Sequence, residues 1–271
     1  MSLFDHEARQ FKFDVLREVS KRSFEGKLNE DTCDEVANLL IPGKRADFRC
    51  CIYKEKEIIR QRTRMAMGKP PVPVEHENKR QIVRVIDAAC DGCSIHKIQV
   101  TDNCRKCMAK ACLSACKFDA IHMGNDHAFI DYDKCKECGA CKNACPFNAI
   151  VETQRPCMKS CPVDAISMGE SGLAEIDEEK CINCGACQAK CPFGAIEDMS
   201  WMVDVIEELK KGTEMYAIFA PAMQGQFDNA TLPQVMEGIR QLGFRDVYEA
   251  AIGADAVAWY EKEDAKKHKA E

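Results

Sequence analysis

Sixteen of the nineteen cysteines lie between Cys90 and Cys191, and their spacing suits thiolate ligation of iron. Two complete runs stand out: Cys135, Cys138, Cys141 and Cys145 before Pro146, and Cys181, Cys184, Cys187 and Cys191 before Pro192. In runs of this kind three thiolates hold one 4Fe–4S cube and the fourth reaches to a second cube. Small residues inside the runs (Gly139, Ala140, Gly185, Ala186) allow close backbone approach. The chemistry implied is one-electron transfer.

The remaining cysteines form partial sets. Cys104, Cys107, Cys112 and Cys116 have one longer spacing, with Lys117 where the other groups have proline. Cys157 and Cys161 lack leading partners, and Cys90 and Cys93 lack trailing ones. The ligand exchange of two-cluster ferredoxins then accounts for all sixteen. Cluster one takes Cys104, Cys107, Cys112 and Cys145. Cluster two takes Cys135, Cys138, Cys141 and Cys116. Cluster three takes Cys181, Cys184, Cys187 and Cys161. Cluster four takes Cys90, Cys93, Cys157 and Cys191. The expected cofactors are four 4Fe–4S clusters. A four-thiolate zinc site would need two separated CxxC pairs closing a tetrahedron, a pattern the runs do not follow and the Cys90/Cys93 pair alone leaves open.

An internal repeat must position these thiols. Ala115 to Gly124 matches Ser160 to Gly169 at an offset of 45 residues, and each copy leads through a turn and an Ile-Asp strand end into a cysteine run. The fold class expected is α+β: tandem two-cluster ferredoxin-like units, a helical N-terminal region and a short α/β C-terminal segment. Residues 1–80 read as helices over Phe4 to Phe24, Glu30 to Leu40 and Ile52 to Met67, then a Pro-rich linker at Pro70 to Pro73. Residues 81–200 hold the clusters. A strand is expected over Gln81 to Ile86. Residues 201–271 read as helix, buried strand (Met215 to Ala220), helix (Pro233 to Leu242), strand (Asp246 to Ala250) and helix (Ala254 to Lys267). Two strands are few for an independent sheet.

The net charge of −6 disfavours nucleic acid as a partner. No apolar run is long enough to span a bilayer, and the charged start is unlike a secretory signal, so a cytoplasmic location is expected. An odd count of nineteen cysteines argues for metal rather than disulfides. Cys33, Cys50 and Cys51 are expected to be structural thiols, with redox sensing or an extra metal site as the alternatives. The charges of the third helix, Lys54, Glu55, Lys56, Glu57, Arg60, Arg62 and Arg64, read as a solvated face. His96 is a candidate substitute ligand but reads better as an ordinary side chain, as do His122 and His127. Met65, Met67, Met123, Met168, Met199 and Met202 are expected to fill gaps. No glycine-rich phosphate loop is present.

Three segments together resemble iron-only (FeFe) hydrogenases of the monomeric, cysteine-rich type. They are Phe48 to Glu55, Ala89 to Cys93 with the cysteine runs, and Ala217 to Ala222 with Gly238 to Phe244 and Val247 to Asp255. The resemblance implies an electron-relay portion followed by the opening of a catalytic domain, and a ferredoxin-type redox partner; an anaerobic host is expected because oxygen destroys exposed clusters. It also implies a catalytic cluster on four further cysteines, yet no cysteine follows Cys191. The chain as given is expected to be inactive alone and to need a catalytic domain or subunit. Two rival functions stand beside this. One is a free-standing polyferredoxin subunit, similar in spacing to the four-cluster subunits of molybdenum enzymes. The other is an iron–sulfur sensor.

Overall fold

The computed structural model describes residues 7–73, 81–90, 93–227 and 229–268. The first six residues of the chain, most of the stretch after Pro73 and the pair Asp91-Gly92 fall outside these. Two compact units are present. One takes in Met1–Glu18 with Asn29–Ser200, the other Val19–Leu28 with Trp201–Glu271.

Helix α1 (Glu7–Phe24) begins in the first unit and ends in the second; α2 (Thr32–Leu40) and α3 (Ile52–Ala66) belong to the first. Helices α2 and α3 pack on each other, and α3 packs on a 3-10 turn at Asp87–Ala89. Ile58, Met65, Ile86, Ala89, Ala195 and Met199 form the core there, with Phe48, Cys90, Cys191 and Phe193 partly buried against it. The expectation of a solvated charged face on α3 is wrong at two positions. Glu55 is 0 % exposed and Arg62 is 4 % exposed, because Glu55 accepts backbone N–H bonds from the loop before the helix and Arg62 pairs with buried Glu197.

Short elements follow: β1 (Val83–Val85), β2 (Ile98–Val100), α4 (Ala111–Ala115), β3 (Ile121–Met123), β4 (Ala128–Ile130), α5 (Ala140–Ala144), β5 (Ile150–Glu152), α6 (Pro156–Ser160), β6 (Ile166–Met168), β7 (Ala174–Ile176), α7 (Ala186–Lys190) and β8 (Ile196–Asp198). The strands form antiparallel pairs: β1 with β8, β2 with β5, β3 with β4, and β6 with β7. Helices pair likewise, α4 with α5 and α6 with α7. The repeat is linear in sequence, but its folding is nested. The set β2–α4–β3–β4–α5–β5 closes on itself, and the outer set closes around its ends through Val85 opposite Ile196. The mixture of helices and small antiparallel sheets is α+β.

Sheets of two three-residue strands are marginal alone. The inner core is Ile98, Ile121, Ala128, Ile130 and Ile150 with Cys112 and Cys141. The outer one is Val83, Ile166, Ala174 and Ile196 with Cys157 and Cys187. Cysteine is thus part of both cores.

The second unit contains α8 (Met202–Lys210), β9 (Tyr216–Phe219), α9 (Leu232–Gln241), β10 (Asp246–Glu249) and α10 (Ala250–His268). Strands β9 and β10 are parallel, with Ile218 opposite Tyr248, and α9 is their crossover. Thr231 and Gln234 form a capping box at the start of α9, with Pro233 in the first turn. The expected buried strand at 215–220 is largely exposed: Phe219 is buried, but Ile218 is 73 % exposed. A two-stranded layer lacks the neighbours that would cover that face. Among the described residues, no helix is long and apolar enough to cross a membrane.

Candidate iron–sulfur centres

The four short helices repeat one design. Their second residues, Cys112, Cys141, Cys157 and Cys187, are buried. Their C-caps, Cys116, Cys145, Cys161 and Cys191, are extended. Three residues past each cap the backbone turns left-handed, at Asp119 (φ 48°), Asn148 (φ 50°), Asp164 (φ 49°) and Gly194 (φ 58°). Asp, Asn and Gly are the residues that tolerate this region best. The turn swings the next backbone N–H back onto the capping thiol. Ala120 donates to Cys116 Sγ at 3.4 Å, Ala149 to Cys145 at 3.4 Å, Ala165 to Cys161 at 3.2 Å and Ala195 to Cys191 at 3.3 Å. All four alanines are buried.

The loops ahead of the helices repeat a second device. Lys106, Glu137 and Asn183, each just before a CxxC second cysteine, have φ of 47°, 50° and 54°. Glu137 and Asn183 donate their N–H to Cys135 and Cys181 at 3.4 and 3.5 Å. Ala128 opens β4 and donates to Cys104 Sγ; its repeat counterpart Ala174 opens β7 and donates to Cys90 Sγ, both at 3.4 Å. Among the described residues, side-chain N–H donors reach these sulfurs in the outer set: Gln81 Nε2 to Cys181 at 3.4 Å and Arg155 Nη1 to Cys90 at 3.8 Å.

The thiols surround space. Cys104, Cys107, Cys112 and Cys145 line one small pocket. Cys116, Cys135, Cys138 and Cys141 line another. In the outer set, burial pushes the Cys187 thiol up, with Cys181 and Cys161 adding to it. Burial pushes Cys157 up to about 11, with Cys191, Cys90 and Cys93 adding to it. Cys184 is exposed in the loop before α7. Among the described residues, no three Cys, His, Asp or Glu side chains converge on a point that would seat one ion. Thiols that ring a volume and accept N–H bonds suit a multi-atom iron–sulfur group, whose charge such bonds stabilise.

His96 does not join these groups. It stacks on Tyr132, with ring centroids 3.5 Å apart. Cys33 is half-buried and burial raises its pKa. Cys50 and Cys51 are exposed rather than buried, with Sγ atoms 4.0 Å apart. Sequence reasoning missed Gln81 and Arg155. Only Pro156, which restricts the residue before it, hints at Arg155.

Three families match parts of the chain. The 4Fe-4S binding domain matches residues 128–151, and the LdpA Fe-S cluster-binding domain matches 151–202. The C-terminal domain of the iron only hydrogenase large subunit matches 213–271. The repeated thiol geometry and these matches define an iron–sulfur protein. A ferredoxin of Alicyclobacillus acidocaldarius is 42 % identical over 55 residues, which is 20 % of this chain and 70 % of that ferredoxin. The 7Fe ferredoxin of Hydrogenibacillus schlegelii is 41 % identical over 51 residues, 19 % of this chain and 65 % of the relative. Ferredoxin-1 of Caulobacter vibrioides is 37 % identical over 51 residues, 19 % of this chain and 45 % of its own length. The chain belongs, through this segment, to the ferredoxin family. Iron–sulfur binding and electron transfer are therefore the general function of that segment.

Proposed function

We propose that this chain is the electron-relay portion of an FeFe-hydrogenase and binds four 4Fe–4S clusters. In this reading Cys104, Cys107, Cys112 and Cys145 hold the first, and Cys135, Cys138, Cys141 and Cys116 the second. Cys181, Cys184, Cys187 and Cys161 hold the third, and Cys90, Cys93, Cys157 and Cys191 the fourth. The two thiol-lined pockets support the first two sets. Cys90 packs against the core that holds Cys157 and, together with Cys191, against the core under α3, which supports the last. When bound, the clusters supply one-electron reduction and oxidation. The protein fixes the thiolates, donates N–H groups to them and buries one of each set.

One observation carries the hydrogenase part. A ferredoxin-type segment and a match to the C-terminal domain of the hydrogenase large subunit lie in the same chain. Residues 192–271 contain no cysteine, so the thiolates of a catalytic cluster belong to a further domain or a partner protein. The uncovered apolar side chains of the second unit, including Ile218, Ile252, Val257 and Trp259, suit such a neighbour. A ferredoxin-type carrier is the external redox partner.

The test is anaerobic reconstitution followed by iron and sulfide analysis, then electron transfer from a reduced ferredoxin. About sixteen irons per chain are expected. Rapid reduction of the chain, with hydrogen evolved only when the cysteine-bearing catalytic segment is supplied, supports the relay. Hydrogen evolution unaffected by that segment, with the chain serving a different oxidoreductase, favours a free-standing polyferredoxin.

A further inference from the structure

The two nested sets repeat the same ligand spacing, turns and backbone donors, but in the outer one a buried cation, Arg155, faces a thiol sulfur. Arg155 caps α6 at the place where Lys110 caps α4, at the same 45-residue offset as Cys161 from Cys116. The caps of α4, α5 and α7 are left-handed: Lys110 (φ 43°), Gly139 (φ 75°) and Gly185 (φ 74°). Arg155 cannot follow them, because Pro156 comes next and restricts the preceding residue to extended conformations. It sits at φ −57°, ψ 132°. Lys110 is exposed, whereas Arg155 is only 6 % exposed.

The buried guanidinium lies over the Cys90/Cys93 loop. Nε donates to Ser94 O at 3.3 Å, and Nη2 to Gly172 O at 2.7 Å and Cys93 O at 3.5 Å. Nη1 faces Cys90 Sγ at 3.8 Å. Among the described residues its hydrogen-bond partners are carbonyls and this sulfur, with no carboxylate. A buried cation is costly unless an anion compensates it. Among the described residues, the thiolates, with the iron–sulfur group they would hold, are the anion in reach. The corresponding charges beside Cys104 and Cys107, on Arg105 and Lys106, are exposed, and solvent and salt screen exposed charges.

A nearby positive charge in a poorly screened site favours the form with one more electron. We propose that Arg155 holds the centre at Cys90, Cys93, Cys157 and Cys191 at a higher reduction potential than its repeat counterpart at Cys104, Cys107, Cys112 and Cys145. This rests on the four-cluster reading and deepens it: the duplicated sets differ in their hold on an electron, and the outer one is the stronger acceptor. Arg155 is a positioning and charge-compensating residue.

The experiment is a redox titration followed by electron paramagnetic resonance on the anaerobically reconstituted full chain. It compares wild type, Arg155→Gln and Arg155→Lys. Cys93→Ser identifies the centre by its missing signal. Arg155→Gln should keep about sixteen irons and move that one midpoint negative, with the other three unmoved. Arg155→Lys should retain most of the wild-type midpoint. Sixteen irons with an unmoved midpoint in Arg155→Gln overturns the proposal alone. Loss of one centre from both variants also overturns it, since Arg155 would then be a brace for assembly. A wild-type protein lacking the Cys93-dependent centre removes the four-cluster reading and the proposal with it.

Discussion

Arg62 and Glu197 join α3 to β8 through a buried ion pair, Nη1 to Oε1 at 2.8 Å. Arg62 also donates to the carbonyls of Gly194 at 2.7 Å and Ala8 at 3.3 Å. Removing one partner of such a pair leaves an uncompensated buried charge and costs about 3–5 kcal/mol. Arg62→Met and Glu197→Gln should each destabilise on that scale, measured by anaerobic urea unfolding. The double variant Arg62→Met/Glu197→Leu should recover much of the loss. A double variant as weak as the sum of the singles would count against the pair.

The same pair gives a pH dependence. Burial pushes the Glu197 carboxyl above its ordinary value, with Arg62 and Lys12 pulling it back. A carboxyl whose folded pKa is raised binds its proton more tightly in the folded state. Its contribution to stability is therefore present at low pH and declines as pH rises from the unfolded value, near about 4.3, through the folded one. The slope should steepen in Arg62→Met and disappear in Glu197→Gln, read as urea midpoint against pH.

Glu55 organises the loop before α3. Its Oε1 accepts backbone N–H bonds from Asp47, Phe48 and Arg49 at 2.7, 2.6 and 2.9 Å. Hydrogen bonds to charged groups contribute about 1.5–3 kcal/mol each, less when several share one atom. Glu55→Ala should cost about 3 kcal/mol in the same unfolding experiment. Glu55→Gln, which keeps a carbonyl oxygen, should cost less. An unchanged midpoint for Glu55→Ala would show that the three donors find other partners.

Cysteine substitutions test the ligand sets by their groupings. Cys157→Ser and Cys93→Ser should each leave about twelve irons and abolish the same spectroscopic centre. Cys116→Ser and Cys138→Ser should share a different one. Two distinct centres lost from the first pair would refute the pairing.

Removal of iron by a chelator under anaerobic conditions should unfold the segment from β1 to β8. Its strands are three residues long, and its cores depend on Cys112, Cys141, Cys157 and Cys187. Metal binding and folding are coupled in sites of this kind. Hydrogen exchange should show loss of amide protection across β2–β5 and β3–β4. Protection retained in the iron-free chain would mean that the hydrophobic residues suffice.

The thiol pattern was readable because ligand spacing is local. The x2 and x3 intervals specify a loop and one turn of helix, and Asp119, Asn148, Asp164 and Gly194 mark the left-handed turns directly. Helices α2, α3, α8 and α9 were likewise visible from periodicity and flanking residues, to within about two residues. Buried charge was not readable. Glu55 and Arg62 look like any solvated helix face until their partners are known, and the Arg62 partner lies 135 residues away. Arg155 and Gln81 act on sulfurs 65 and 100 residues distant. The nesting was hidden for the same reason: β1 is a short apolar stretch whose mate, β8, belongs to the far end of the repeat.

That nesting sets a schedule for biogenesis. As the polypeptide leaves the ribosome, β2 to β5 can close while the outer set is still unfinished, since domains fold as their residues emerge. Val83 to Cys90 must wait, exposed, until Ile196 has been synthesised. Until then Cys90 stays open to oxidants, and slow elongation between β5 and β8 would lengthen that exposure.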